Sequence, residues 1–114
     1  MYRKYVLFLF IFSIVIPQLD FHIWADMFPE LKQILLCESN LNPNAYNYDK
    51  GAHARGIAQI TRKYHPEVSD AQAYNPAWSL WWAINVWYAG NTKKEWSCYE
   101  IVNKQIKLPF FVKL

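Results

Sequence analysis

Apolar residues follow two kinds of pattern along this chain. Tyr5 to Ile16 form a run of twelve residues, apolar apart from Ser13, behind the basic start Met1-Tyr2-Arg3-Lys4, and beyond Asp26 apolar residues recur at helical spacing. The run falls short of the roughly 20 residues that span a bilayer. With the polar stretch that follows and ends at Ala25, it has the make-up of a secretory signal peptide. Cleavage is expected after Ala25. Ile23 is bulkier than the small residue preferred two positions before such a cut, which leaves an uncleaved anchor as the alternative.

The first periodic stretch is D-MFPELKQILLCES. Asp26 is a candidate N-cap, Pro29 and Glu30 fall in the first turn, and Phe28, Leu31, Ile34 and Leu35 supply the apolar positions of a helix. The helix should end between Ser39 and Leu41, because Asn42 precedes Pro43 and is disfavoured in helical geometry. NLNPNAYNYDKGAHARG reads as a long polar loop. GIAQI is too short to assign, TRKYHPE suggests one helical turn limited by Pro66, and Ser69 to Asn75 reads as loop.

The second helix, NP-AWSLWWAINVWYA-GN, has Asn75 as cap, Pro76 at its first position and Gly90 just past its end. Ala77, Leu80, Ile84 and Tyr88 make one face and Trp78, Trp82, Asn85 and Ala89 another, so this helix should be central. Thr92 and Glu95 have capping-box spacing and predict a third helix carrying Trp96, Cys98, Tyr99, Ile101 and Val102. The apolar and basic tail, residues 104–114, carries no clear signal. No repeat, low-complexity segment or linker interrupts the chain, so residues 26–103 should form one mainly α domain behind a signal segment, residues 1–25.

Composition agrees with a folded domain. The 114 residues include six Trp, eight Tyr and seven Phe, far more than a disordered tail carries. Losing residues 1–25 removes Arg3, Lys4 and Asp20 and lowers the formal charge from +3 to +2. That is too weak and too scattered for a nucleic-acid partner. Export bears on Cys37 and Cys98, since cysteines outside the cytoplasm are usually paired; two buried thiols are the other reading.

Glu38 is the informative charge. With Leu31, Ile34 and Leu35 it stands at i, i+3, i+4 and i+7, so it occupies the last slot of the apolar face. A carboxyl there is partly desolvated and meets the negative end of its own helix, and both effects favour the protonated form. A proton held near neutral pH suits a general acid. The competing reading is a structural one, in which Glu38 reaches solvent or pairs with Lys32, Arg55 or Lys63.

Other chemistry is sparse. His53 and His65 have no metal-ligand spacing and read as surface or loop residues. No metal or cofactor is expected, and no Ser-His-Asp order, phosphate loop or nucleotide fingerprint is present. A second carboxylate for a glycosidase would have to lie about 5 to 9 Å from the first. Glu30 is too far, about 12 Å back along the same helix. That leaves Asp49 in the following loop, and Asp70 more remotely. Trp78, Trp81, Trp82 and Trp87 fall within ten residues. Core packing accounts for most such indoles, and partly exposed ones would suit sugar rings.

ESNLNPNAYNYDKGAHARGIAQI resembles the signature of the lysozyme-like transglycosylases, the soluble lytic transglycosylase and goose-type lysozyme group. That signature has Glu-Ser closing a helix, an N-P-N-A loop, then Gly-aliphatic-x-Gln. YNPAWSLWWAINVWYAG is similar to the family's later stretch, and the resemblance runs from about Leu31 to Tyr99. Cys37 beside Glu38, with EWSC at Cys98, also resembles the compact resuscitation-promoting-factor domains. The resemblance implies a compact lysozyme-like fold, a Cys37–Cys98 disulfide and Glu38 as catalytic acid and then base. Ser39 would support the acid, and Gly56 and Gln59 would form the saccharide groove. The family's Y-N-A-G tyrosine falls at Trp87, with Tyr88 in place of the Asn, so either Tyr88 takes the phenol's role or substrate is held differently. The implied activity is cleavage of peptidoglycan glycan strands, secreted or periplasmic at the cell wall, by a monomer that meets the membrane only during export unless the signal segment stays uncleaved. A single carboxylate suffices for the lytic route. Hydrolysis with Asp49 as second group, or a binding module without catalysis in a wall-spanning machine or phage particle, are the alternatives.

Overall fold

The computed structural model describes residues 21–107, with side chains through Lys104. The order of elements is α1 (Phe21–Asp26), α2 (Pro29–Ser39), β1 (Tyr46–Asn47), a 3-10 turn (Asp49–Gly51), β2 (Ala54–Arg55) and β3 (Ile60–Thr61), then α3 (Asp70–Ala73), α4 (Pro76–Tyr88), α5 (Thr92–Glu95) and α6 (Cys98–Lys107). Helices dominate, and the strands form one antiparallel sheet in the order β1-β2-β3. The fold is mainly α, as expected.

Sequence logic explains the two long helices. α2 starts at Pro29 and ends where Asn40 turns left-handed, its N–H returning to the Leu36 carbonyl. Leu31, Ile34 and Leu35 are buried as their spacing requires. Asp26 is not the cap: it closes α1, and its carboxylate pairs with Lys32. In α4, Asn75 accepts a hydrogen bond from the Trp78 N–H and Pro76 opens the helix, as expected. α4 is central, packing on α1, α2, α3 and α5. Its buried residues are Ala77, Ser79, Leu80 and Ala83, while Tyr88 is exposed. Small side chains bring its neighbours close, and the bulky ones splay to the flanks.

Five further expectations need correction. The stretch read as loop and unassigned residues holds the sheet, with Tyr46 opposite Arg55 and Arg55 opposite Ile60. No helix forms at TRKYHPE; only one helix-like hydrogen bond, from the His65 N–H to the Thr61 carbonyl, survives there. Ser69 to Asn75 contains α3, held by a capping box between Ser69 and Gln72. The third helix is broken in two at Trp96, which adopts an extended backbone (φ −124°, ψ 121°). Trp96 is 2% exposed and its indole N–H donates to the Ala58 carbonyl at 2.8 Å. Burying that ring outweighs continuing the helix. Thr92, expected as the cap, is a buried first-turn residue instead, and the Asn91 before it makes no side-chain cap.

The core gathers Leu31, Ile34, Leu35, Ile57, Ile60, Leu80 and Trp96, so it joins α2, α4 and the sheet. Gly56 lies in the left-handed region (φ +75°), and an added Cβ would stand 1.9 Å from the Ala73 carbonyl oxygen. Only glycine lets α3 approach the sheet so closely. Arg55 is 1% exposed and would be costly there unpaired. It donates to the Ile60 and Val68 carbonyls and to Asp70 at 2.8 Å.

The expected boundary after Ala25 falls inside α1. Ala25 is 1% exposed, and Phe21 and Trp24 pack against the core. The apolar run Tyr5 to Ile16 and the tail beyond Lys107 lie outside the described residues. Among the described residues no helix is long and apolar enough to cross a membrane.

Candidate active site

α2 delivers Glu38 on its last turn, at the edge of a groove of about 840 Å³. Glu38 lines this groove with Asn47 and Asp49 from the β1–β2 hairpin, Ala54 and Thr61 from the sheet, Gln59 from the β2–β3 turn, and Tyr64, His65, Lys93, Lys94, Glu95 and Ser97 beyond it. Two helices meet at the acid. A disulfide between Cys37 and Cys98 ties the end of α2 to the start of α6, with Cα atoms 6.0 Å apart. Beside that bond, the Cys98 N–H donates to Glu38 Oε1 at 3.0 Å and the Ser97 hydroxyl donates at 3.4 Å.

The carboxyl is under opposing influences. Burial pushes its pKa up from the ordinary glutamate value and is the strongest effect; the Cys98 and Ser97 donors pull it down, and the Asp49 charge raises it again. The net direction is up. The negative end of α2 works in the same direction as burial, and the opening N–H of α6 works against both. Lys93 and Lys94 share the groove, Lys93 pairing with Glu100 at 3.4 Å, and the three cations expected as partners of Glu38 are engaged elsewhere. Lys32 pairs with Asp26, Arg55 with Asp70, and Lys63 lies over the Tyr64 ring at 5.4 Å.

The expected site residues divide into three groups. Glu38, Gln59 and Asp49 come together on the groove. Gln59 Nε2 donates to the Gly56 carbonyl at 3.0 Å, which locks its amide in the groove wall. Ser39 and Gly56 stand behind that wall and do not line it. The Ser39 hydroxyl donates to the Ile57 carbonyl at 2.6 Å and so fastens the end of α2 to the β2–β3 turn. Trp87 and Tyr88 are elsewhere: both meet the Phe28 ring edge-on, at 6.0 and 6.2 Å between centroids. Trp78, Trp81 and Trp82 are half-buried on α4 and none lines the groove. Asp70 is not a second groove carboxylate; Arg55 first and Arg62 second hold its pKa below the usual range.

Several groove residues had no signal in the sequence. His65 is neither isolated nor fully exposed. Its Nε2 is 2.9 Å from a Glu95 oxygen, its Nδ1 is 3.3 Å from Glu67, and its ring packs edge-on against Trp82 at 5.0 Å. Thirty residues separate His65 from Glu95, so no local pattern could pair them. Tyr64 is 68% exposed on the rim and offers a phenol where Trp87 and Tyr88 do not reach. Left-handed backbone also gathers here: Asn40, Leu41, Asp49, Lys50, His53 and Gln59 all have φ between 44° and 58°. Such strain in non-glycine residues commonly marks functional sites.

Among the described residues no group of three or more His, Cys, Asp or Glu is placed to hold a metal ion. The groove holds a half-dry acid that can give a proton and take one back, with the Asp49 and Glu95 carboxylates and a polar wall around it. Compared with protein-family models, with curated proteins and with solved structures, the chain matches none of them.

Proposed function

We infer that this protein is an exported glycosidase with a lysozyme-like fold, which cleaves the β-1,4 bond between N-acetylmuramic acid and N-acetylglucosamine in peptidoglycan. One observation carries the inference: a carboxyl with a raised pKa, in no salt bridge among the described residues, opens onto a groove at a helix end. Glu38 gives its proton to the glycosidic oxygen as the bond to C1 breaks. The resulting carboxylate takes the proton of the muramic acid C6 hydroxyl, whose oxygen closes on C1 to give a 1,6-anhydro end. Gln59 and Asn47 supply polar contacts along the strand, and Ser39 holds the turn that carries the acid.

The position of Asp49 on the same groove supports hydrolysis as the second reading, with that carboxylate assisting a water. Glu38→Gln keeps the acceptor for the Cys98 N–H and removes the proton. We expect it to abolish release of soluble fragments from purified cell walls while circular dichroism is unchanged; retained turnover would refute the role of Glu38. Mass spectrometry of wild-type products separates the two routes, since anhydro ends support the lytic route and reducing ends support the hydrolytic one.

A further inference from the structure

Apart from Ile101, the exposed large hydrophobic residues fall into two groups. Tyr46, Tyr48 and Tyr64 belong to the hairpin and the groove rim. Ile23, Met27 and Tyr88 are 59%, 64% and 74% exposed and lie on α1, just beyond it, and at the end of α4. Phe28 joins these segments, with its ring edge-on to both Trp87 and Tyr88. Ile23 is on α1 and Met27 in the turn that follows, its N–H returning to the Trp24 carbonyl, which keeps it against the end of that helix.

Nothing in the groove chemistry accounts for this face, and two observations indicate its occupant. The apolar run of the sequence, Tyr5 to Ile16 with only Ser13 polar, ends five residues before Phe21, where α1 begins. α1 is also part of the folded domain, since Ala25 is 1% exposed and Phe21 and Trp24 pack on the core. A cut after Ala25 would strip those residues from it. We propose that the chain keeps its N-terminal segment and that the Ile23, Met27 and Tyr88 face rests on a lipid bilayer. Trp and Tyr concentrate at membrane surfaces because their rings are amphipathic. Phe28, just before α2, adjoins the lipid face, and Glu38 opens the groove about 15 Å further along the helix axis. The proposed contact therefore lies at the opposite end of α2 from the groove.

Hydroxyl-radical footprinting of the full chain on vesicles of phosphatidylethanolamine and phosphatidylglycerol tests this without reference to activity. After correction for intrinsic reactivity, Met27 and Tyr88 should oxidise at least about fivefold more slowly than Tyr48 and Tyr64, and the intact mass should include residues 1–25. Equal oxidation of the two groups would overturn the proposal. So would a mature chain beginning at Asp26, or protection of Met27 and Tyr88 in a vesicle-free species of twice the monomer mass, which would assign the face to a second copy. Failure here would leave the Glu38 assignment standing, and inactive protein would leave the footprint meaningful.

Discussion

Replacing both cysteines, Cys37→Ser with Cys98→Ser, tests how the site is held together. The bond closes a loop across a sequence separation of 61. Constraining the unfolded chain over such a loop is worth about 4 kcal/mol in the chain-entropy treatment. Small domains have total stabilities of about 5 to 15 kcal/mol, so the loss is large. For a domain of this size each kcal/mol shifts Tm by about 4 to 8 °C, which predicts a fall of about 15 to 30 °C. Thermal unfolding of the oxidised wild type and of the variant, followed by near-ultraviolet circular dichroism, measures it. A second readout concerns the acid. The Cys98 N–H lowers the pKa of Glu38, and without the bond the end of α2 and the start of α6 are less firmly held together. Weakening that donor should move the alkaline limb of wall cleavage to higher pH, measured well below the variant's Tm. A Tm within about 5 °C of wild type would refute the loop-entropy reasoning. An unmoved limb would show that the disulfide does not position the donor.

Asp49→Asn removes a charge that raises the Glu38 pKa, so the alkaline limb should move to lower pH with turnover kept; complete loss of turnover would instead make Asp49 the second catalytic group. Because the folded-state pKa of Glu38 is raised, the folded chain binds its proton more tightly than the unfolded chain, and stability from this group is lost as pH rises through the folded value. Glu38→Gln should therefore melt no lower than wild type at neutral pH, and any advantage should shrink as the pH is taken down to about 4, the ordinary glutamate range. Gly56→Ala would force a Cβ to 1.9 Å from the Ala73 carbonyl oxygen at φ +75°, whereas Gly90→Ala at φ +78° meets nothing within 4 Å. Gly90→Ala should cost about 1 to 2 kcal/mol, the left-handed penalty alone, and Gly56→Ala distinctly more; urea unfolding compares the two.

Much of the helical frame was legible because its signals are local. The spacing of Leu31, Ile34, Leu35 and Glu38, the Pro29 start and the Asn75-Pro76 cap each act within a turn or two of helix. The sheet was not legible, because its strands are two residues long and a two-residue alternation needs four or more positions to show. The break at Trp96 depends on a carbonyl 38 residues earlier, and no periodicity in α5 or α6 foretells it. The site was legible in the same uneven way. Glu38 stood out by its place on an apolar face, Gln59 by its resemblance to a motif, and Asp49 by elimination. His65, Glu95 and Tyr64 reach the groove through tertiary packing alone, and Trp87 and Tyr88 looked relevant only while their direction on α4 was unknown.

The clamp at the acid also bears on how the protein is made. Cys37 and Glu38 are neighbours on one side, Ser97 and Cys98 on the other, and a covalent bond and a hydrogen bond run side by side between the two pairs. The chain has only two cysteines, so a single intramolecular pairing exists and oxidation needs no later reshuffling. Closing that one bond brings the acid and its donor together in the same event, so maturation of the fold and assembly of the site are one step.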